Sequence, residues 1–137
     1  MRQEWMLFLT KVAEVRTYRS GEVIFLEGDP ARYIYYLEEG LALTCSDGPD
    51  GRERGVMTVW PGEFFGTAAF LRGDGHRTTT MALKRCRLLA IDAPAYEACR
   101  EKCPGFLPDM MEELSREVAV LFEQLADSSL LESDVKV

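Results

Sequence analysis

Apolar residues near the amino terminus recur with the period of a helix. Trp5, Phe8, Leu9 and Val12 occupy positions i, i+3, i+4 and i+7, which lie on one face of an α-helix. The spacing predicts a short amphipathic helix over residues 4–13.

The pattern of apolar positions changes from about residue 15 to residue 92, where short apolar groups are separated by glycine, proline and acidic residues. These groups predict six strands, at 23–26, 33–37, 41–45, 56–60, 78–83 and 88–91. Strands of about five residues at intervals of about 8–12 residues are typical of an antiparallel sandwich or jelly roll. Glu38 and Glu39, between two of these groups, are predicted at the solvated end of a hairpin.

The helical period returns after residue 92. Pro94 suits the first turn of a helix that ends before Cys103. A longer helix is predicted to begin near Pro108. Along it, apolar residues follow a 4-3-4-3-4 spacing, at Leu107, Met111, Leu114, Val118, Leu121 and Leu125.

Two interpretations of this spacing stay open. It is an a/d heptad pattern, which predicts a homodimer interface between two copies of the helix. The helix can also pack on its own β domain, for which Met110, Ala119 and Phe122 supply a second apolar face. The chain thus divides into a β domain with flanking helices at 1–107, a dimerisation helix at 108–127 and a tail at 128–137.

Composition narrows the class of protein. With 137 residues, 47% hydrophobic and 28% charged, the chain is expected to form one folded domain. Its formal net charge of −7 argues against direct binding to nucleic acid or to an anionic membrane. The apolar stretch at 5–9 is too short for a signal peptide, and no run approaches the about 18 residues of a membrane helix. We expect a cytoplasmic protein with reduced cysteines.

The sequence contains few residues suited to catalysis. His76 is the sole histidine, which argues against cupin-type metal sites and hydrolase triads. We therefore predict no catalytic residue, metal site or cofactor, and we expect His76 to be a solvated loop residue. Cys99 and Cys103 share a helix face at i, i+4, either as core residues, the interpretation we favour, or as a redox or metal pair.

The segment 61–71 carries the main functional signal. Residues 66–69 have no bulky side chain, so their backbone N–H groups can approach an anion at the start of a helical turn. Arg77 follows eleven residues after Gly66, at a strand entrance, and a hairpin would return it as a charge partner. A tight sheet corner explains the same small residues without a ligand.

The order of these features resembles the cyclic-nucleotide-binding-like domain. The chain has a leading helix, glycine-containing stretches at 21–29, 35–40 and 61–66, the pair Arg77-Thr78 and a long heptad helix. More narrowly, it resembles the sensor half of the CRP/FNR superfamily of bacterial transcription regulators. The resemblance implies an α+β fold with an antiparallel β-roll or jelly roll, a small-molecule effector, and ligand binding coupled to the packing of dimer helices.

Two departures from the family pattern bear on the ligand. Nucleotide binders carry Phe-Gly-Glu, with the carboxylate on the ribose hydroxyl, and this chain has Thr67 in that position. Counting forward from Gly66 puts the family's phosphate arginine at Arg77, whereas counting back from Ala82 puts His76 there. A one-residue slip turns a strand side chain to the other face. The predicted ligand-binding residues are Phe65, Gly66, Thr67, Ala68, Ala69, His76, Arg77 and Thr78.

The tail at 128–137 resembles the hinge that precedes the DNA-binding half in these regulators. After Lys102 the basic residues are Arg116 and Lys136, so DNA binding would need a domain absent from this chain. We predict the effector-sensing domain of such a regulator. The alternative is a stand-alone cyclic-nucleotide-binding module that acts on a protein partner.

Overall fold

A computed structural model describes residues 2–47 and 53–127 of the chain. In these residues the helices and strands follow the order α1 (Arg2–Val12), β1 (Glu14–Tyr18), β2 (Val23–Phe25), β3 (Ile34–Asp47), β4 (Glu53–Val59), β5 (Phe64–Phe65), α2 (Thr67–Arg72), β6 (Thr79–Ile91), α3 (Ala93–Lys102) and α4 (Phe106–Ala126). The predicted tail at 128–137 lies outside the described residues. Among the described helices, none is long and apolar enough to cross a membrane.

All strands join one antiparallel sheet. Its order is β1-β6-β3-β4, with β2 paired to β6 and β5 paired to β3. The two long strands β3 and β6 pair from Ile34 opposite Ile91 to Cys45 opposite Thr79 and so form the spine of the sheet. The predicted α+β fold, an antiparallel β-roll with a short N-terminal helix and a long C-terminal helix, is confirmed.

The structure corrects the predicted strand boundaries. The groups at 33–37 and 41–45 belong to β3, and those at 78–83 and 88–91 belong to β6. Between Leu37 and Ala42 the register shifts, and Gly40 has a φ of +105°. A Cβ at Gly40 would lie 2.2 Å from the Arg85 carbonyl oxygen. Glycine therefore marks a bulge inside a strand, where two backbones approach closely, and not the end of a strand.

Glu38 is also placed differently from the prediction. It lies within β3, and its Oε1 accepts a hydrogen bond of 2.9 Å from Arg87 Nε on the neighbouring strand β6. The predicted solvated hairpin end at Glu38 and Glu39 is therefore wrong. Glu38 instead forms a cross-strand pair with a basic residue.

Alternation along β3 separates two cores. Ile34 and Tyr36 face a cluster with α1, α3 and α4, whereas Tyr35 and Leu37 face a second cluster inside the roll. Neighbouring strand residues point to opposite faces, so a strand apolar at consecutive positions is covered on both sides. Trp5 of α1 is fully buried in the first cluster.

Hydrogen bonds define where the last two helices begin. Asp92 caps α3 by accepting from the Ala95 N–H at 3.0 Å. Helix α4 begins at Phe106, two residues before the predicted start near Pro108. Proline is tolerated within a first helical turn, because the N–H groups there have no partner inside the helix. Asp109 in this turn accepts from Trp5 Nε1 at 2.6 Å and so ties α4 to α1.

Candidate functional site

A cavity of about 730 Å³ lies between the β-roll and α4. One wall is formed by strand residues such as Leu43 and Met57, and a second by the segment from β5 into α2. The third wall is α4, from Glu113 to Gln124. The volume is in the range of small-molecule sites.

The structure brings the predicted ligand residues to this one cavity. Those that line it are Phe65, Gly66, Thr67, Ala68, Ala69, His76, Arg77 and Thr78. They differ in what they present to it, because some are buried and inward while others lie at the rim.

Gly66 shapes the turn from β5 into α2. Its φ of +72° is left-handed, and it precedes the first residue of α2. A Cβ there would lie 3.2 Å from His76 Cε1 and 3.3 Å from Tyr35 Cδ2. The glycine therefore gives both the turn and the space into which His76 packs.

His76 is buried, so the expectation of a solvated imidazole is wrong. Its ring stacks on Phe25 with centroids 3.6 Å apart and planes 12° apart. Backbone hydrogen bonds fix it, since its N–H donates to the Asp29 carbonyl and its carbonyl accepts from the Gly28 N–H. Burial lowers the pKa of the imidazole, although Asp29 opposes this, so the inward side chain is neutral at pH 7.

Arg77 lies at the rim of the cavity. Its side chain is 80% exposed, and its Nη2 is 3.8 Å from Asp74 Oδ2. Arg72 shares the same carboxylate at 3.5 Å. Counting along the sequence left Arg77 and His76 as the two candidates for the position of the family's phosphate arginine. His76 is the one that faces inward, while the guanidinium of Arg77 is solvated.

Glu113 is a cavity residue that the sequence pattern did not predict. It is buried on the row of α4 that begins with Phe106 and Met110, and its Oε2 accepts a hydrogen bond from the Phe64 N–H. Burial is the main cause that raises the pKa of Glu113, to about 7, with Glu63 and Glu117 adding to it. An acidic residue in the core-facing row of an amphipathic helix was the signal that could have found it.

Thr67 faces the same cavity and is also buried. Neither Thr67 Oγ1 nor Glu113 Oε1 has a hydrogen-bond partner among the described residues. Such groups carry a desolvation cost of about 1–3 kcal/mol when left unpaired.

We expect Thr67→Val to raise the free energy of unfolding by about 1 kcal/mol, because valine keeps the shape and removes an unpaired buried hydroxyl. Urea unfolding measures the change. The control is Thr80→Val, since Thr80 Oγ1 is hydrogen-bonded to Thr44 Oγ1 at 2.9 Å. Thr80→Val should lower the free energy of unfolding by about 1–2 kcal/mol. An equal fall in the free energy of unfolding in both variants would contradict the assignment of the Thr67 hydroxyl as unpaired.

The heptad residues of α4 differ in exposure. Met111, Val118 and Leu125 are 66%, 50% and 52% exposed. Leu107, Leu114 and Leu121 are half-buried, and Leu121 also lines the cavity.

The second apolar face predicted for α4 is partly wrong. Met110 is buried against the domain, but Ala119 and Phe122 are exposed. Each lies nine residues after a buried residue, Met110 or Glu113, which is two and a half helical turns and so the opposite face.

The four cysteines are buried and form no disulfide. The predicted core packing of Cys99 and Cys103 is confirmed, because both belong to the cluster under α1 and α3. Burial, with a smaller contribution from Cys103, raises the pKa of Cys99 to about 12. A thiol with so high a pKa is a poor nucleophile.

Fold and cavity together define a β-roll domain whose cavity is covered by its C-terminal helix. The profile of the cyclic nucleotide-binding domain family matches residues 15–103. The chain belongs to this family, and its relatives include CRP-family transcription regulators.

Particular relatives support this assignment. Transcriptional regulator LdrP of Thermus thermophilus is 35% identical over 83 residues, or 61% of this chain and 42% of that protein. Protein RPA4233 of Rhodopseudomonas palustris has the name of a potassium channel protein. It is 32% identical over 97 residues, or 71% of this chain and 23% of that protein. This chain therefore spans less than half of each.

A solved structure shows the same fold. The c-di-GMP responsive global regulator CLP of Xanthomonas campestris has a TM-score of 0.81 at 21% identity, covering 91% of this chain and 65% of that chain. At this identity the likeness concerns the fold.

Proposed function

We propose that this chain is the effector-sensing domain of a CRP-type transcriptional regulator. The single observation that carries the proposal is the cavity between the β-roll and α4, because an effector there touches the helix that would contact a second copy. Residues 1–107 form the effector-sensing β domain, and the helix at 108–127 closes the cavity and forms a homodimer. DNA is bound through a domain outside this chain. Four buried cysteines outside any disulfide suit the reducing cytoplasm.

The effector class we propose is a cyclic nucleotide that binds weakly. Among the described residues, the inward position beside Gly66 is held by a neutral His76, and Arg77 is solvated. The phosphate thus lacks a buried cation. A missing charge-assisted hydrogen bond costs about 1.5–3 kcal/mol, or about tenfold or more in affinity.

Thermal unfolding with cyclic AMP, cyclic GMP and cyclic di-GMP tests the proposal. A ligand at about a hundred times its dissociation constant adds about 2.7 kcal/mol to the free energy of unfolding. A clear rise in Tm at millimolar nucleotide supports the effector class. No shift with any of the three at millimolar concentration would overturn it.

Arg77→Ala is expected to change cyclic AMP affinity less than about threefold, because the guanidinium is solvated and already faces Asp74. Calorimetric titration measures the affinity. Arg72→Ala is the matched control, since Arg72 shares the Asp74 carboxylate at the rim. A loss of about tenfold or more in Arg77→Ala alone would show that this arginine turns inward on binding.

A second function is supported by the likeness to RPA4233, whose name is that of a potassium channel. In that case the domain regulates a linked or partner protein instead of DNA. A basic helix-turn-helix in the full gene product after residue 137 would separate the two functions in favour of the regulator.

A further inference from the structure

The buried contact of α4 with the rest of the domain ends at Glu113. The buried residues of the helix all lie on one face of its first half, at Phe106, Met110 and Glu113. Along the rest of the described helix, to Ala126, no residue is buried. This second half, residues 114–126, contributes to the cavity wall through Glu117, Val120, Leu121 and Gln124, among others. Its position over the cavity therefore depends on the contact that Glu113 makes.

That last buried contact is made by a carboxyl group. The Glu113 residue is 6% exposed, and its Oε2 accepts a hydrogen bond from the Phe64 N–H of β5. Its Oε1 is also buried and has no hydrogen-bond partner among the described residues. A carboxylate can accept about four hydrogen bonds, so a single donor leaves most of its charge unsolvated. The contact between α4 and β5 is therefore more favourable when Glu113 holds a proton.

The charged groups next to Glu113 also disfavour its ionised form. Glu117 follows one turn later on α4, and Glu63 directly precedes β5, so both add negative charge beside it. Arg116 acts in the opposite direction, but its guanidinium donates to Glu112 at 2.7 Å. Within the part of the chain that the structure describes, Glu113 itself forms no ion pair.

Charged groups on the other elements around α4 have partners of their own. Asp109, one turn before Glu113, accepts a hydrogen bond of 2.6 Å from Trp5 Nε1 of α1. The ion pairs of the facing cavity wall and of α3 are those of Arg72 and Arg77 with Asp74 and of Arg100 with Glu97. His76, across the cavity, is neutral at pH 7. The proton is thus the means by which the charge of Glu113 is removed.

We propose that Glu113 is a proton-dependent latch between α4 and β5: with its proton bound, the second half of α4 stays docked over the cavity, and loss of the proton favours release of that half. Burial, with Glu63 and Glu117, raises the pKa of Glu113 from 4.5 to about 7 in the docked state. Release returns the carboxyl to water and its pKa to the ordinary value. The ratio of released to docked helix therefore rises with pH between these two values, by about a hundredfold or more, and is constant above about pH 7.

Hydrogen exchange of the Phe64 amide measures the release, because this N–H is bonded to Glu113 and meets water when α4 moves away. The amide of Leu89, which is fully buried in β6, reports global unfolding. NMR follows exchange in the full chain without nucleotide, and the rates are corrected for the intrinsic pH dependence of exchange. We expect the opening constant of the Phe64 amide to exceed that of Leu89 and to rise about tenfold or more from pH 5.5 to pH 8.

Variants assign this pH dependence to the latch. Glu113→Gln cannot ionise and keeps an acceptor for the Phe64 N–H, so its opening constant should change less than about threefold over the same range. Glu112→Gln is the control, since this side chain is 71% exposed on the same helix, and it should keep the full pH dependence.

A second measurement covers the case in which Glu113→Gln folds poorly. The ¹³C shift of the Glu113 carboxyl in the unmodified protein gives its titration directly. Its midpoint should coincide with the pH at which the opening constant of the Phe64 amide becomes constant.

Four results would overturn the latch. They are opening of the Phe64 and Leu89 amides together at every pH, an opening constant of Phe64 that does not vary with pH, the same pH dependence in Glu113→Gln as in the unmodified protein, and a Glu113 carboxyl that titrates near 4.5. Since no nucleotide is present, each of these results leaves the proposed function intact, and a protein that binds no nucleotide leaves the latch intact.

Discussion

Replacing Met111 and Val118 with glutamate is expected to convert the protein from a dimer to a monomer. Both side chains are exposed on α4, at 66% and 50%, one heptad apart on the predicted seam. In a symmetric pair of helices, the new carboxylates of the two copies would face each other in a desolvated interface. We expect the dimer dissociation constant to rise about a thousandfold or more, which corresponds to about 4 kcal/mol.

Sedimentation equilibrium at tens of micromolar protein measures this change. The control is Leu7→Glu, which alters an apolar side chain of α1 that is 69% exposed and lies outside the seam. This control should remain dimeric. A monomeric unmodified protein under these conditions would overturn the dimer proposal, and dissociation of the Leu7→Glu protein would show that the effect is not specific to α4.

Glu113→Gln is expected to make stability less dependent on pH. Burial raises the pKa of Glu113 from 4.5 to about 7 in the folded protein, so between these values the folded state keeps a proton that the unfolded state releases. The free energy of unfolding therefore falls as pH rises through this window and levels off above about pH 7. The full effect is about 3 kcal/mol for a shift of this size.

The charged groups that face Glu113 also affect how stability depends on pH. Glu63 and Glu117 raise its pKa, and Arg116 lowers it. The pKa of Glu117 is itself raised by burial and by Glu63, so part of the pH dependence remains in the variant. Glutamine keeps an acceptor for the Phe64 N–H, so the loss of charge is isolated from the loss of that bond.

Urea unfolding from pH 4 to pH 8 tests the prediction. Glu113→Gln should match the unmodified protein near pH 4 and be about 2–3 kcal/mol more stable at pH 8. The exposed Glu112→Gln should follow the unmodified protein at every pH. A stability difference for Glu113→Gln that does not vary with pH would contradict a raised pKa.

Local pattern was sufficient for much of the fold. The helical period of Trp5 and Leu9 predicted α1, and the apolar group at 33–37 predicted a strand. The strand ends were harder to predict. Gly40 gives the local signal of a turn, but its role depends on the Arg85 backbone, which is 45 residues away along the chain.

The residues around the cavity were also predicted only in part. Small residues at 66–69 indicated the segment, and the structure places all eight predicted residues around one space. Glu113 was not predicted, because the heptad pattern assigns outward and inward rows by apolar residues. Its place in the row that begins with Phe106 and Met110 was visible in the sequence, but only the docked helix shows that this row packs on Phe64.

Local patterns were sufficient to predict the class of fold, the position of the long helix and the segment that lines the cavity, because each depends on periods of two or 3.6 residues and on small side chains near one another in the chain. The tertiary structure alone decided whether His76 or Arg77 faces inward. A shift of one residue reverses the faces of a strand, and no local pattern sets that register. It is set by two backbone hydrogen bonds, from the Gly28 N–H to the His76 carbonyl and from the His76 N–H to the Asp29 carbonyl, between loops that are distant in sequence and adjacent only in the folded chain.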